Sequence, residues 1–264
     1  MSLDNIFIQA FQAHREAGDL PHKDAHPDHA HAHEVFQTST INALLEGVYD
    51  GQTSFGDMTK HGDFGLGTAN GLDGEITIID GEVYQIKSNG KAYPVAPELQ
   101  TPFAVVMFFC PSLHVDIDEH LDFENFTASL DAAVPSKNVF YAIKAEGKFR
   151  SIKVRSVPKQ EPPYKPLTEV VESQPVYEHV DVEGTLVGFR FPDYSQGINV
   201  PGYHLHFLTK DRTAGGHVLG FHTHHAHVEI DITSDFHMEL PDSGDFMGAD
   251  LSRDSTEDIK KVEK

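Results

Sequence analysis

His204 and His206, two residues apart in Gly202-Tyr203-His204-Leu205-His206-Phe207-Leu208-Thr209, and His217 a short distance beyond them, constrain the fold of this chain more than any other feature. An extended strand turns every second side chain to the same face, so the first two imidazoles project together. The chain then reverses through Lys210–Gly216, and a returning strand can set His217 opposite that pair. Three neutral imidazoles converging in this way suit zinc with coordination positions left open for water or substrate, unlike the closed ligand set of a structural site. Iron, nickel and cobalt accept the same imidazoles, so the spacing does not choose among them. The competing reading makes His204 and His206 exposed strand residues and His217 a chance neighbour after a loop.

The rest of the sequence supplies further short strands. Glu75–Ile79 and Glu82–Ile86 flank Asp80-Gly81, a dipeptide suited to a tight hairpin turn. Strands are also expected over Ala104–Cys110, Val139–Ala145, Phe149–Val157, Thr185–Phe191, Gly202–Thr209, Gly216–His222 and His225–Thr233, the later ones antiparallel by their short connections. A short helix is expected at Ile41–Glu46 with Gly47 stopping it. Another is expected at Phe123–Val134, where Phe126, Leu130 and Val134 recur at spacings of four, and a last one over Ser255–Lys264 with Ser255 and Asp258 as a capping box. The Gly-rich stretch from Gly56 to Gly74 lets the backbone turn tightly or approach other groups closely, but it lacks the Gly-Lys-Ser/Thr ending of a phosphate loop. Pro158, Pro162, Pro163 and Pro166 mark residues 158–166 as a connector. The expected fold class is α/β of an α+β-like kind, with two domains built on mixed and antiparallel β-sheets with flanking helices. Residues 1–34 form a His-rich N-terminal arm, 35–157 an N-terminal sheet domain, and 167–264 a C-terminal sheet domain.

Acidic residues outnumber basic ones by 41 to 20, a formal charge of -21 with histidine neutral, which disfavours any groove that must neutralise phosphates. Nucleic acid is accordingly not an expected partner. No stretch reaches the roughly 20 apolar residues that span a membrane, and no basic region followed by a secretory apolar core opens the sequence, so a cytoplasmic protein is expected. Cys110, the one cysteine, cannot pair internally and ends the apolar run that starts at Val105, which suits inert burial. The 18 histidines are the compositional anomaly. His22, His26, His29, His31 and His33 are spaced irregularly in the arm, and His222, His224, His225 and His227 form a second group. In a regular strand His222 and His224 face one way and His225 and His227 the other, although a break after Thr223 would change this. A second metal role, a pH-sensitive contact and plain solvation all stay open for them.

Two charged residues complete the candidates. Glu75 opens a hairpin strand at the end of the Gly-rich stretch, where a rigid carboxylate can enter a cavity. Arg155, in Ile152-Lys153-Val154-Arg155-Ser156, points away from the faces of Ile152 and Val154, and its planar fork can clamp a carboxylate through two hydrogen bonds. A solvated strand end and a surface ion pair are the plainer readings.

Around these residues the sequence resembles the bacterial alpha-acetolactate decarboxylases over roughly residues 35–264, with the His-rich arm outside the expected match. The resemblance rests on Gly62-Asp63-Phe64-Gly65-Leu66-Gly67-Thr68, on Asn70-Gly71-Leu72-Asp73-Gly74-Glu75, and on the passage from Gly188-Phe189-Arg190-Phe191-Pro192 through His217-Val218-Leu219, three matches in the same order. It implies that His204, His206 and His217 bind zinc, that Glu75, Arg155 and Glu263 complete the site, and that Thr68 lines it. Glu263 sits in Lys260-Lys261-Val262-Glu263-Lys264, so the C-terminal tail would return to the site. The implied reaction takes 2-acetolactate, a small anionic beta-keto acid, to acetoin and carbon dioxide through a metal-stabilised enediolate. Arg155 would orient the leaving carboxylate, and Glu75 or Glu263 would deliver the proton. A homodimer is also implied. Another zinc-dependent hydrolase or isomerase, and a non-catalytic His-rich metal-binding protein, explain the histidines but not the ordered matches around Glu75 and Arg155.

Overall fold

The computed structural model describes residues 33–263, so the expected arm, apart from His33 and Glu34, lies outside the described residues. One mixed sheet takes β1 (Glu34–Thr38), β3 (Phe64–Thr68), β4 (Glu75–Ile79), β5 (Glu82–Ile86), β6 (Ala92–Pro94), β8 (Phe103–Met107) and β14 (Asp235–Glu239) in the order β14-β1-β8-β3-β4-β5-β6. Within it β14 runs parallel to β1 and the other pairings are antiparallel. β2 (Thr53–Ser54) and β7 (Gln100–Thr101) form a small separate pair. The second sheet holds β9 (Leu113–Ile117), β10 (Phe140–Arg155), β11 (Val176–Phe191), β12 (Gly202–Thr209) and β13 (Gly215–Thr233) in the order β10-β11-β12-β13-β9, and β10 also pairs with β13, closing four strands on themselves. The architecture is the expected mixture of sheets and flanking helices.

Side-chain alternation sets the layers. In β8, Phe103, Val105 and Met107 enter the large core, while Ala104 and Val106 pack on the other face with Phe55 and Met58. β10 divides in the same way: Phe140 and Ala142 join that large core, and Tyr141, Ile143 and Ala145 face Phe126 and Leu130 of the helix Phe123–Ala133. The large core therefore fills the space between the two sheets, with contributions from Val187, Phe189 and Leu208 on the second. β10 precedes residues 158–166 and belongs to the second sheet, and β14 follows them and belongs to the first.

Several expected breaks are absent. The two strands expected at 139–145 and 149–157 are the single strand β10, because Gly147 provides closeness and not a turn: a Cβ there would lie 2.3 Å from the His225 carbonyl oxygen across the strand pair. The strands expected at 216–222 and 225–233 likewise merge into β13, with register shifts against β10 between Lys148 and Phe149, Phe149 and Ser151, and Lys153 and Val154. β8 stops at Met107, short of Cys110, whose backbone N–H donates to buried Asp231 at 2.6 Å. The last helix spans Thr256–Val262 without the expected capping box, since the Ser255 hydroxyl donates to Asn42 and the Asp254 carboxylate accepts the Thr256 backbone N–H at 2.9 Å. By contrast the Asp80-Gly81 hairpin forms as expected, with φ of 53° and 77° at its two central residues, as a two-residue turn between right-twisted strands requires.

The Gly-rich motif sits against β8 so closely that a Cβ on Gly65 would come 2.2 Å from the Val105 carbonyl oxygen. Because both partners are backbone in a packed sheet, Gly65→Ala is expected to cost about 1–3 kcal/mol. A lower urea midpoint with an unchanged slope would register that loss; an unchanged midpoint would contradict the packing account. No described helix is long and apolar enough to cross a membrane.

Candidate metal centre and active site

β12 and β13 pair with His206 directly opposite His217, and His204 shares the face of His206. The three buried rings have centroids 5.3, 5.0 and 5.5 Å apart, and one ring nitrogen from each lies within 4.8 Å of the others. This face looks across the core to the first sheet, where His206 Nδ1 is 2.7 Å from the carbonyl oxygen of Ile76 on β4. A carbonyl only accepts, so Nδ1–H donates and the lone pair is fixed on Nε2. That nitrogen is 3.6 Å from Glu75 Oε2.

Burial is the main force keeping the imidazoles neutral, and Arg155 and the neighbouring histidines add to it. His204 is pushed down to about 3, and His206 and His217 fall well below the usual histidine range. The neutral form is the one that binds a metal.

Glu75 is the first residue of β4 and pairs with Thr68 at the end of β3, whose hydroxyl donates to the Gly74 carbonyl at 2.7 Å and so pins the turn leading into Glu75. Arg155 ends β10 between Val176 of β11 and His217 of β13. Its Nη1 donates to Gln174 Oε1 at 2.9 Å, its Nη2 donates to the Val262 carbonyl at 2.5 Å, and Nη1 lies 3.5 Å from Glu75 Oε1. Glu263 follows the final helix, which Ile259 and Val262 anchor in the large core, and its Oε2 is 3.5 Å from His217 Nε2. Burial pushes Glu75 and Glu263 up to about 7 against the opposing pull of Arg155, and the charge of Glu263 raises Glu75 further.

These groups line one cavity with Thr68 on its wall and Ile41, Leu44, Leu72, Phe103, Val157 and Leu167 as its apolar part. Among the described residues, Glu75 Oε1, Arg155 Nε, His204 Nδ1 and His217 Nε2 are buried without a hydrogen-bond partner. Each such atom costs about 1–3 kcal/mol. Four of them in one cavity, carried by two imidazoles, one carboxyl and one guanidinium, suit a metal ion and a small anion.

All seven expected site residues thus meet in one place. Gln174 and the carbonyls of Ile76 and Val262 were not foreseen, since a backbone acceptor has no signature in sequence and Gln174 lies outside any motif. The second histidine group stays outside. The register shift that leaves His224 without an opposite residue on β10 puts His222, His225 and His227 together on an exposed face, and so overturns the alternation of a regular strand.

The model of the alpha-acetolactate decarboxylase family matches residues 35–253. An alpha-acetolactate decarboxylase of Methylococcus capsulatus is 56% identical over 263 residues, 100% of both chains, so that relative also aligns along the arm. One from Methanosarcina mazei is 51% identical over 87% of this chain and 80% of its own length. The crystal structure of alpha-acetolactate decarboxylase from Bacillus subtilis strain 168 superposes with a TM-score of 0.86 at 40% identity, covering 87% of this chain and 99% of that one. This chain belongs to the alpha-acetolactate decarboxylase family.

Proposed function

We propose that the chain converts 2-acetolactate to acetoin and carbon dioxide, with zinc held by His204, His206 and His217. The observation that carries this reading is the meeting, in one small buried cavity, of three neutral imidazoles with the guanidinium of Arg155 and the carboxyls of Glu75 and Glu263. Zinc, when bound, supplies a Lewis acid that polarises the substrate oxygens and stabilises the charge left by the departing carboxylate. Arg155, tethered by Gln174 and the Val262 carbonyl, orients the substrate carboxylate and offsets its charge within an acidic chain. Its hold on the ground state cannot by itself speed the reaction, so the benefit comes from aligning the bond that breaks. The apolar residues on the wall lower the local polarity, which strengthens each of these interactions. Burial raises the proton affinity of Glu75 and Glu263, to about 7 before zinc binds, which suits either carboxyl to pass a proton to the carbon that loses the carboxylate. Thr68 fixes the turn from which Glu75 enters.

Carbon dioxide and acetoin released faster than spontaneous breakdown by the zinc-loaded chain, and at the spontaneous rate by the chelated chain, are the expected results with fresh 2-acetolactate. No acceleration by folded, zinc-loaded protein would refute the proposal. A cytoplasmic location and a homodimer are part of the same reading, the homodimer as the family resemblance implies; sedimentation equilibrium at the mass of one chain would remove the dimer.

The protonation states give a second test. Burial keeps the three imidazoles neutral, with no proton to lose, whereas it raises Glu75 and Glu263 to about 7. An arriving cation lowers the carboxyl affinities for protons, so zinc uptake at pH 6 should release protons that come from the carboxyls, and the release should fade as pH rises above 7. Calorimetry in buffers of different ionisation enthalpy counts them, with about one fewer in Glu75→Gln. A release that stays constant up to pH 8 and is unchanged in Glu75→Gln would contradict this.

A further inference from the structure

The half of β13 remote from the triad carries a second set of ligating side chains, on the face it shares with the edge strand β9. In the antiparallel register Glu229 lies opposite His114, and His227 opposite Asp116. Positions two apart on a strand share a face, so these four side chains form the corners of one patch. His114 Nδ1 is 3.9 Å from Glu229 Oε1, the rings of His114 and His227 stack with centroids 5.7 Å apart, and one ligand atom from each of His114, His227 and Glu229 lies within 4.8 Å of the others.

Two neighbours hold the set in place. His227 Nδ1–H donates to Asp116 Oδ1 at 2.7 Å, which leaves the lone pair on Nε2, the carboxylate–imidazole arrangement that orients metal-binding histidines. Lys144 Nζ stands 3.6 Å from Glu229 Oε2 and 3.4 Å from Glu146, occupying the outer oxygen of Glu229 and leaving Oε1 toward His114.

We propose that His114, His227 and Glu229 form a second, peripheral site for a divalent transition-metal ion of the zinc, nickel and copper class. Two imidazoles with one carboxylate are donors these ions share, whereas calcium and magnesium call for oxygen ligands throughout. The side chains of His114 and His227 are 53% and 51% exposed, so water completes the coordination and the ion exchanges freely. The ammonium of Lys144 nearby also weakens the hold, and the site is the lower-affinity one of the two. His217 and His227 lie ten positions apart on one strand, roughly 30 Å at about 3.3 Å per residue, so the two sites take separate ions. β9 pairs with β13 alone in its sheet, and an ion bridging His114 to His227 and Glu229 clamps that edge strand to its neighbour.

The full chain, first loaded with one equivalent of zinc, is titrated with further zinc by calorimetry. One additional, weaker equivalent is expected in the wild type, with its affinity lowered at least tenfold in His114→Ala/His227→Ala and unchanged in His222→Ala and His225→Ala. Backbone amide exchange across residues 113–117 should slow on adding zinc to the wild type and not on adding it to the double variant. Retention of the first equivalent by the double variant shows that the fold is intact. Absence of the additional equivalent from the wild type would overturn the proposal. So would its full retention in the double variant, which would put the ion elsewhere, such as on the histidines of residues 22–31.

Discussion

His206→Ala is expected to empty the triad of metal and to bring turnover of 2-acetolactate down to the spontaneous rate. His206 stands at the centre of the arrangement: it faces His217 across the strand pair, shares a face with His204, and is locked by its hydrogen bond to the Ile76 carbonyl. Loss of an outer partner of a metal ligand typically costs 10–100-fold in affinity, so loss of the ligand itself should cost at least about a hundredfold. The alanine variant also strands the Ile76 carbonyl, at about 1–3 kcal/mol, and circular dichroism must accompany the metal analysis to confirm that the protein is folded. Exposed His225→Ala serves as the comparison and should keep both metal and activity. A folded His206→Ala protein with one tightly held zinc and normal turnover would exclude the triad as the metal site.

Arg155→Ala should separate metal from turnover. The guanidinium touches none of the three imidazoles in a hydrogen bond, and its charge repels a cation, so zinc content is expected to stay at one per chain in the variant. Turnover is expected to fall about 10²–10⁴-fold, equivalent to roughly 3–5 kcal/mol for removing one member of a buried charge-assisted pair. Arg155→Lys should recover only part of the rate, because one ammonium cannot hold Gln174, the Val262 carbonyl and a substrate carboxylate with the geometry of a planar fork. Zinc analysis and initial rates on the same preparations decide the matter. Wild-type turnover in Arg155→Ala would remove the guanidinium from the reaction.

The triad was readable because strand periodicity is a local rule: residues 204 and 206 share a face on any regular strand, and a tight reversal brings His217 back beside them. Glu75 was readable for a similar reason, as the start of a hairpin strand at a Gly-rich turn. Arg155, like Glu75, was a candidate from its strand position alone, and the family resemblance placed both in the site together with Glu263, since nothing local says that the end of β10 meets the C-terminal helix. That meeting depends on β10 pairing along its whole length with both β11 and β13, a closure between segments far apart in sequence. The same closure explains the misread breaks. Gly147 looks like a turn residue, but a neighbouring backbone presses against it, and the local sequence of β10 carries no sign of that neighbour. The final helix was visible in outline, while its cap was not, because the Ser255 hydroxyl is drawn to Asn42 from the other end of the chain.

The most direct measurement is the rate of acetoin and carbon dioxide formation as metal-free protein is titrated with zinc. A rate that climbs linearly and breaks at one zinc per chain, with the two products in equal amounts, is the expected result. A rate that is independent of zinc, or that keeps climbing until a second equivalent is bound, would contradict a single catalytic ion held by His204, His206 and His217.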